Sequence, residues 1–98
     1  MAMYRNKPVT RKDLANRLGI PLDSIEQVDS KQLFIIYGHM ADYLVSYYTI
    51  VGFRPSGNKV WKITTMKYSP TTSKQLNQFA YGRQVDWVEG ELIPDRVE

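Results

Sequence analysis

The sequence predicts an α+β fold: a three-stranded antiparallel sheet packed by two helices, in the order α-β-β-β-α, with residues 85–88 as an optional short fourth strand. Three observations carry this. A capped amphipathic segment begins at Thr10, and a second begins at Ser69-Pro70. Between them, two runs rich in tyrosine and β-branched residues flank the turn-forming Pro55-Ser56-Gly57-Asn58. Helices on one face of an antiparallel sheet are the usual way to bury such elements together.

Length and composition set the outer bounds. Ninety-eight residues are enough for one domain, with residues 1–9 as an arm and 89–98 as an acidic tail. A chain of this size buries about two thirds of its unfolded surface. There are no cysteines, so neither a disulfide nor a thiolate metal site is expected, which fits a cytoplasmic protein. No run reaches the roughly 18 apolar residues a membrane span needs. The basic N-terminus lacks the apolar stretch of a secretory signal.

In the first helix, Thr10 caps and Asp13 follows three residues later, beside the positive helix start. Val9 and Leu14 have the spacing of a hydrophobic staple. Gly19 and Pro21 stop the helix. Residues 21–30 are ambiguous, because Leu22, Ile25 and Val28 fit a helical stripe that Pro21 and Asp29 interrupt. Residues 32–37 read as a strand ending at Gly38.

A hairpin follows, with strands over 43–54 and 60–68. Pairing Phe53 with Val60 sets Ile50 opposite Ile63 and Gly52 opposite Trp61. That places Ile50, Trp61 and Ile63 on the buried face, since the other face carries Lys62 and threonines; a one-residue slip would reverse this. In the second helix Ser69 is the N-cap, Pro70 the first helical residue, and Thr72 with Gln75 a capping box. Leu76, Phe79 and Ala80 form its apolar stripe, and Gly82 ends it.

The candidate chemistry is sparse. His39 is the one histidine and sits on a predicted turn without a nucleophile signature, so an exposed turn residue is the expectation. Asp23, Glu26 and Asp29 read as a solvated acidic face. Glycine-rich phosphate loops are absent. The expectation is therefore a non-enzymatic protein without metal or cofactor.

Charge distribution is more informative than the net value of +3. Residues 46–83 hold Arg54, Lys59, Lys62, Lys67, Lys74 and Arg83 and no acid, while residues 84–98 carry a net −4. Tyrosines and Trp61 are interleaved with those cations. Nucleic-acid surfaces combine positive charge with flat rings that stack on bases. The helix start adds amides and a dipole that favour phosphate. The predicted contacts are Lys62, Lys67, Ser69, Thr71, Thr72 and Lys74, with Tyr47 as a stacking ring. A protein-binding inhibitor of a host or defence factor, dimerising through an edge strand, is the alternative, because aromatic residues also favour protein interfaces.

Three stretches resemble known families. Residues 10–21 resemble the first helix and turn of a helix-turn-helix motif, but acids at Asp23, Glu26 and Asp29 would repel phosphate from the following segment. The element order, with Ser73-Lys74 at the second helix, is similar to a double-stranded-RNA-binding domain, without that family's dense lysine cluster. The third resemblance covers residues 43–80. Ser46-Tyr47-Tyr48-Thr49-Ile50-Val51 and Lys67-Tyr68-Ser69-Pro70-Thr71-Thr72-Ser73-Lys74 resemble small uncharacterised phage and prophage proteins with a Ser-Tyr-x-Thr strand and a Tyr-Ser-x-Thr-Thr helix start. That resemblance implies a viral or mobile-element origin.

Overall fold

The structure, a computed structural model, describes residues 8–29 and 32–97. Its first helix, α1, spans Arg11–Leu18 and is set by its ends. The Thr10 hydroxyl accepts from the Asp13 amide at 3.1 Å, and the Asp13 carboxylate accepts from the Thr10 amide at 2.9 Å. Gly19 closes the helix with φ +68°, a left-handed conformation that costs glycine little. Val9 and Leu14 are both buried in one cluster, as the staple spacing predicts. Val9 also donates to Gln32 Oε1, so the arm expected over residues 1–9 is anchored at its end; residues 1–7 lie outside the described residues.

The sheet departs from expectation. It has six strands rather than three, is mixed rather than antiparallel, and runs in the order β1-β2-β3-β4-β5-β6. These are Ile25–Gln27, Leu33–Tyr37, Ala41–Ser46, Thr49–Pro55, Trp61–Thr64 and Val85–Val88. The first five form an antiparallel meander. The last pairs parallel to β5 after a crossover through α2, Pro70–Ala80. A parallel neighbour needs such a crossover, so β5-α2-β6 is a βαβ unit added to one side of the meander.

Two segments supply the strands beyond those expected. The ambiguous segment is a 3₁₀ turn, Leu22–Ser24, followed directly by β1. Arg11 pins it to α1 by donating to the Ile25 and Leu22 carbonyls at 2.8 and 3.0 Å. A recognition helix is therefore not formed there. The second segment is residues 43–54, expected as one strand and folded as parts of two, joined by a tight turn at Tyr47-Tyr48. Tyr47 has φ +57°, a conformation turns ordinarily assign to Gly or Asn, so no local signal marked the turn.

Register differs as well. Gly52 faces Ile63 and Phe53 faces Lys62, two residues away from the expected pairing. An even shift keeps the faces, so Trp61 and Ile63 are buried as expected. Ile50 is not with them. The β3–β4 pairing shifts between Leu44 and Val45, inserting Val51 as an extra residue on β4. Val51 joins the Trp61 cluster, and Ile50 packs on the opposite face.

The sheet is covered on both sides, which is why Leu33 through Ile36 are all buried. On one face Leu14, Ile25, Phe34, Ile36, Tyr43 and Val45 pack beneath α1. On the other, Leu33, Ile35, Leu44, Val51, Trp61 and Ile63 pack against Leu76 and Phe79 of α2. Trp61 and Phe79 meet edge to face at 5.4 Å. The acidic tail takes part: Val97 packs against the α1-side cluster, and Ile93 to Asp95 lie beside Tyr48 and Ile50.

Candidate functional site

The loop joining β5 to α2, residues 65–69, lies where a parallel strand ends and a helix begins. That is the position at which α/β units commonly bind ligands. Its backbone is anchored at one end, since the Thr65 amide donates to Val88 at 2.8 Å and the Met66 amide to Thr64 Oγ1 at 3.0 Å. Two small clefts flank it. One, of about 230 Å3, is lined by Thr64, Thr65, Met66, Lys67, Ser73, Leu76, Asn77 and Trp87. The other, of about 190 Å3, is lined by Ser46, Tyr47, Thr49, Val51, Tyr68, Ser69 and Thr72.

The start of α2 lies between the clefts. Ser69 is its N-cap, and its hydroxyl accepts from the Thr72 amide at 3.1 Å. Pro70 occupies the first helical position and has no amide to offer. Ser73 N bonds Ser69 O. The Thr71 amide is what remains in this turn, so the helix start is a poorer anion cradle than the sequence implies. Thr72 is not half of a capping box with Gln75. It is buried, its hydroxyl lying 3.2 Å from Ser46 Oγ and accepting from Ser69 Oγ at 3.1 Å. Gln75 Oε1 is buried without a hydrogen-bond partner.

The sequence-derived contact residues separate into two groups. Lys67, Thr71 and Lys74 are exposed around the loop and helix start, and Tyr47 lies at the rim of the smaller cleft. Ser69 and Thr72 line that cleft while bonding each other, so neither reaches out to solvent as an independent contact. Lys62 lies elsewhere. It projects from the α1 side of the sheet, opposite Phe53, and pairs with Asp86 of the neighbouring strand at 3.4 Å.

Other cations of the acid-free stretch are also occupied. Arg54 donates to Asp42 at 2.6 Å and stacks 4.6 Å from the Trp61 ring centroid. Arg83 donates to the Phe79 carbonyl at 2.9 Å. An acid-free sequence block thus finds acids across the sheet. Lys67 and Lys74 form no ion pair among the described residues. Glu89 and Glu91 share a hollow with Thr65 and Met66, so carboxylates stand at this loop as well.

Several residues here were not selected from the sequence. Trp87, Met66 and Tyr68 are 43, 53 and 46 % exposed and sit around one loop. Reading residues 60–88 as strand, helix, parallel strand would have found them, because that topology brings the end of residues 85–88 beside residues 65–67. His39 is exposed on the β2–β3 turn. Among the described residues no group of three His, Cys, Asp or Glu side chains could hold a metal, and no helix is long and apolar enough to cross a membrane.

An antiparallel meander closed by a βαβ unit, with two clefts at the crossover loop, defines a small α+β domain. The chain belongs to a family of unknown function, DUF8033, which matches residues 4–93. No curated protein and no solved structure matches it significantly.

Proposed function

We propose that this chain is a non-catalytic binding protein that holds single-stranded nucleic acid across the β5–α2 loop and the start of α2. One observation carries the reading: Lys67 and Lys74, without ion pairs among the described residues, stand exposed on the β5–α2 loop and the first turns of α2, where Lys67 and Trp87 line one flanking cleft and Tyr47 and Tyr68 line the other. Cations track a phosphate backbone while aromatic faces accept unstacked bases, and neither requires sequence-specific contacts. Lys67, Thr71 and Lys74 contact phosphate; Tyr47, Tyr68 and Trp87 stack. Lys62 is not part of this surface. In a phage or mobile-element setting, which the motif resemblance implies, this is an accessory role in the host cytoplasm.

The test is fluorescence anisotropy of short labelled DNA and RNA strands across a salt series. Affinity should fall with rising salt, and Lys67→Glu with Lys74→Glu should weaken it by about tenfold or more at low salt. Absence of binding at low salt would overturn the proposal.

A protein partner is the second reading, favoured by Met66 and Trp87 standing exposed beside the open edge of β6. A stoichiometric host protein captured from nuclease-treated lysate, together with no strand binding, would select it.

A further inference from the structure

We propose that the cleft between the β3–β4 turn and the start of α2 takes one unstacked pyrimidine base of the bound strand. This deepens the nucleic-acid reading above and depends on it. The cleft is lined by Ser46, Tyr47, Thr49, Val51, Tyr68, Ser69 and Thr72, none of them charged, so its occupant is a neutral group rather than a phosphate. At about 190 Å3 it is smaller than the ~300 Å3 at which sites for drug-sized molecules begin, so it holds a single ring and not a whole nucleotide.

Its floor carries a hydrogen-bond donor left over by counting. Ser46 and Thr72 are each only 4 % exposed. Ser69 Oγ donates to Thr72 Oγ1, and Thr72 Oγ1 and Ser46 Oγ share one further bond that either could donate. If Thr72 donates to Ser46, the Ser46 proton has no acceptor; if Ser46 donates to Thr72, the Thr72 proton has none. Either way one hydroxyl proton among these buried groups lacks an acceptor among the described residues. Buried donors are ordinarily satisfied, so an incoming acceptor is favoured here. Pyrimidines present ring carbonyl oxygens that fit, and they are the smaller bases.

Tyr47 supplies an independent observation. It lines the cleft with φ +57°, where a bulky side chain is strained and glycine is not. Strain of this kind concentrates at binding sites. An exposed ring lining a cleft that Tyr68 also lines gives the strained residue a use: it covers the face of the base.

Equal-length strands of thymidine, adenosine and abasic units separate the cases, because all three carry the same phosphate charge. Wild type should bind the thymidine strand roughly tenfold more tightly than the abasic one, with adenosine between them. Tyr47→Gly should remove most of that preference while its Tm stays equal or rises, since the substitution relieves the backbone. Equal binding of the thymidine and adenosine strands, both tighter than the abasic one, would overturn the base cleft and leave stacking on the exposed rings standing; equal binding of all three would overturn the stacking as well and leave only the phosphate contacts of Lys67, Thr71 and Lys74. A preference for adenosine would overturn the pyrimidine assignment. Binding of none would overturn both proposals.

Discussion

Arg54 and Asp42 face each other across β3 and β4, and the guanidinium that donates to the carboxylate at 2.6 Å also lies over the Trp61 ring. The two side chains are 30 and 22 % exposed, so the pair is partly desolvated. Removing one partner leaves a half-buried charge facing an aromatic core. Asp42→Ala should cost about 1–2 kcal/mol, between the values for exposed and fully buried pairs. A double-mutant cycle with Arg54→Met, followed by urea unfolding, checks it. A coupling energy indistinguishable from zero would show that Arg54 acts through Trp61 alone.

Lys62 and Lys67 make a matched pair of charge reversals, because both belong to the acid-free stretch yet only one is free. Lys62→Glu breaks the bond to Asp86 and should leave strand affinity within about twofold, since it removes no phosphate contact. Lys67→Glu should weaken binding and flatten its salt dependence by about one counterion. Equal effects of the two would mean that affinity tracks net charge and not this surface.

The α1 capping box has a pH signature. Hydrogen bonding from the Thr10 amide, and then from its hydroxyl, holds the Asp13 carboxyl below its ordinary value of 3.8. A folded value below the unfolded one stabilises the fold above about pH 4, and that contribution is lost as pH falls through the folded value. Asp13→Ala should therefore lower Tm at pH 7, and the gap from wild type should narrow as the pH is lowered below 3.8. A constant gap would exclude the charged form as its source.

Tyr37 titrates in the opposite sense. Burial, reinforced by its 2.5 Å bond to Glu26 and that carboxylate's charge, pushes the phenol up to about 12. A raised folded value stabilises the protein below pH 10 and is lost as pH rises through 12. Phenolate absorbance of the folded protein should thus contain a late-ionising component that Tyr37→Phe removes. The variant should lose less stability than wild type between pH 9 and 11.

Gly52 pairs with Ile63 across β4 and β5. A Cβ there would stand 2.9 Å from the Lys62 carbonyl oxygen and 3.2 Å from Ile63 Cγ1. Backbone cannot yield as a flexible side chain would, so Gly52→Ala should destabilise by about 1–3 kcal/mol. Gly57→Ala meets nothing within 4 Å but has φ +80°, and should be milder. Chemical denaturation of both variants orders the two effects.

Local chemistry by itself determined the helices. Thr10 with Asp13, Ser69 with Pro70, and the glycines at 19 and 82 act within a turn or two, so their consequences can be read without knowing what lies across the sheet. The burial of Trp61, Ile63, Leu76 and Phe79 was legible for the same reason, as a period of two or of 3.6. What only the tertiary structure decided was partnership. A tyrosine held at positive φ split one strand into two, a bulge moved Ile50 to the other face, and a parallel crossover placed Asp86 against Lys62 and Trp87 beside the 65–69 loop. Charge along a chain says nothing of its neighbours across a sheet, because those are set by register and packing between segments distant in sequence.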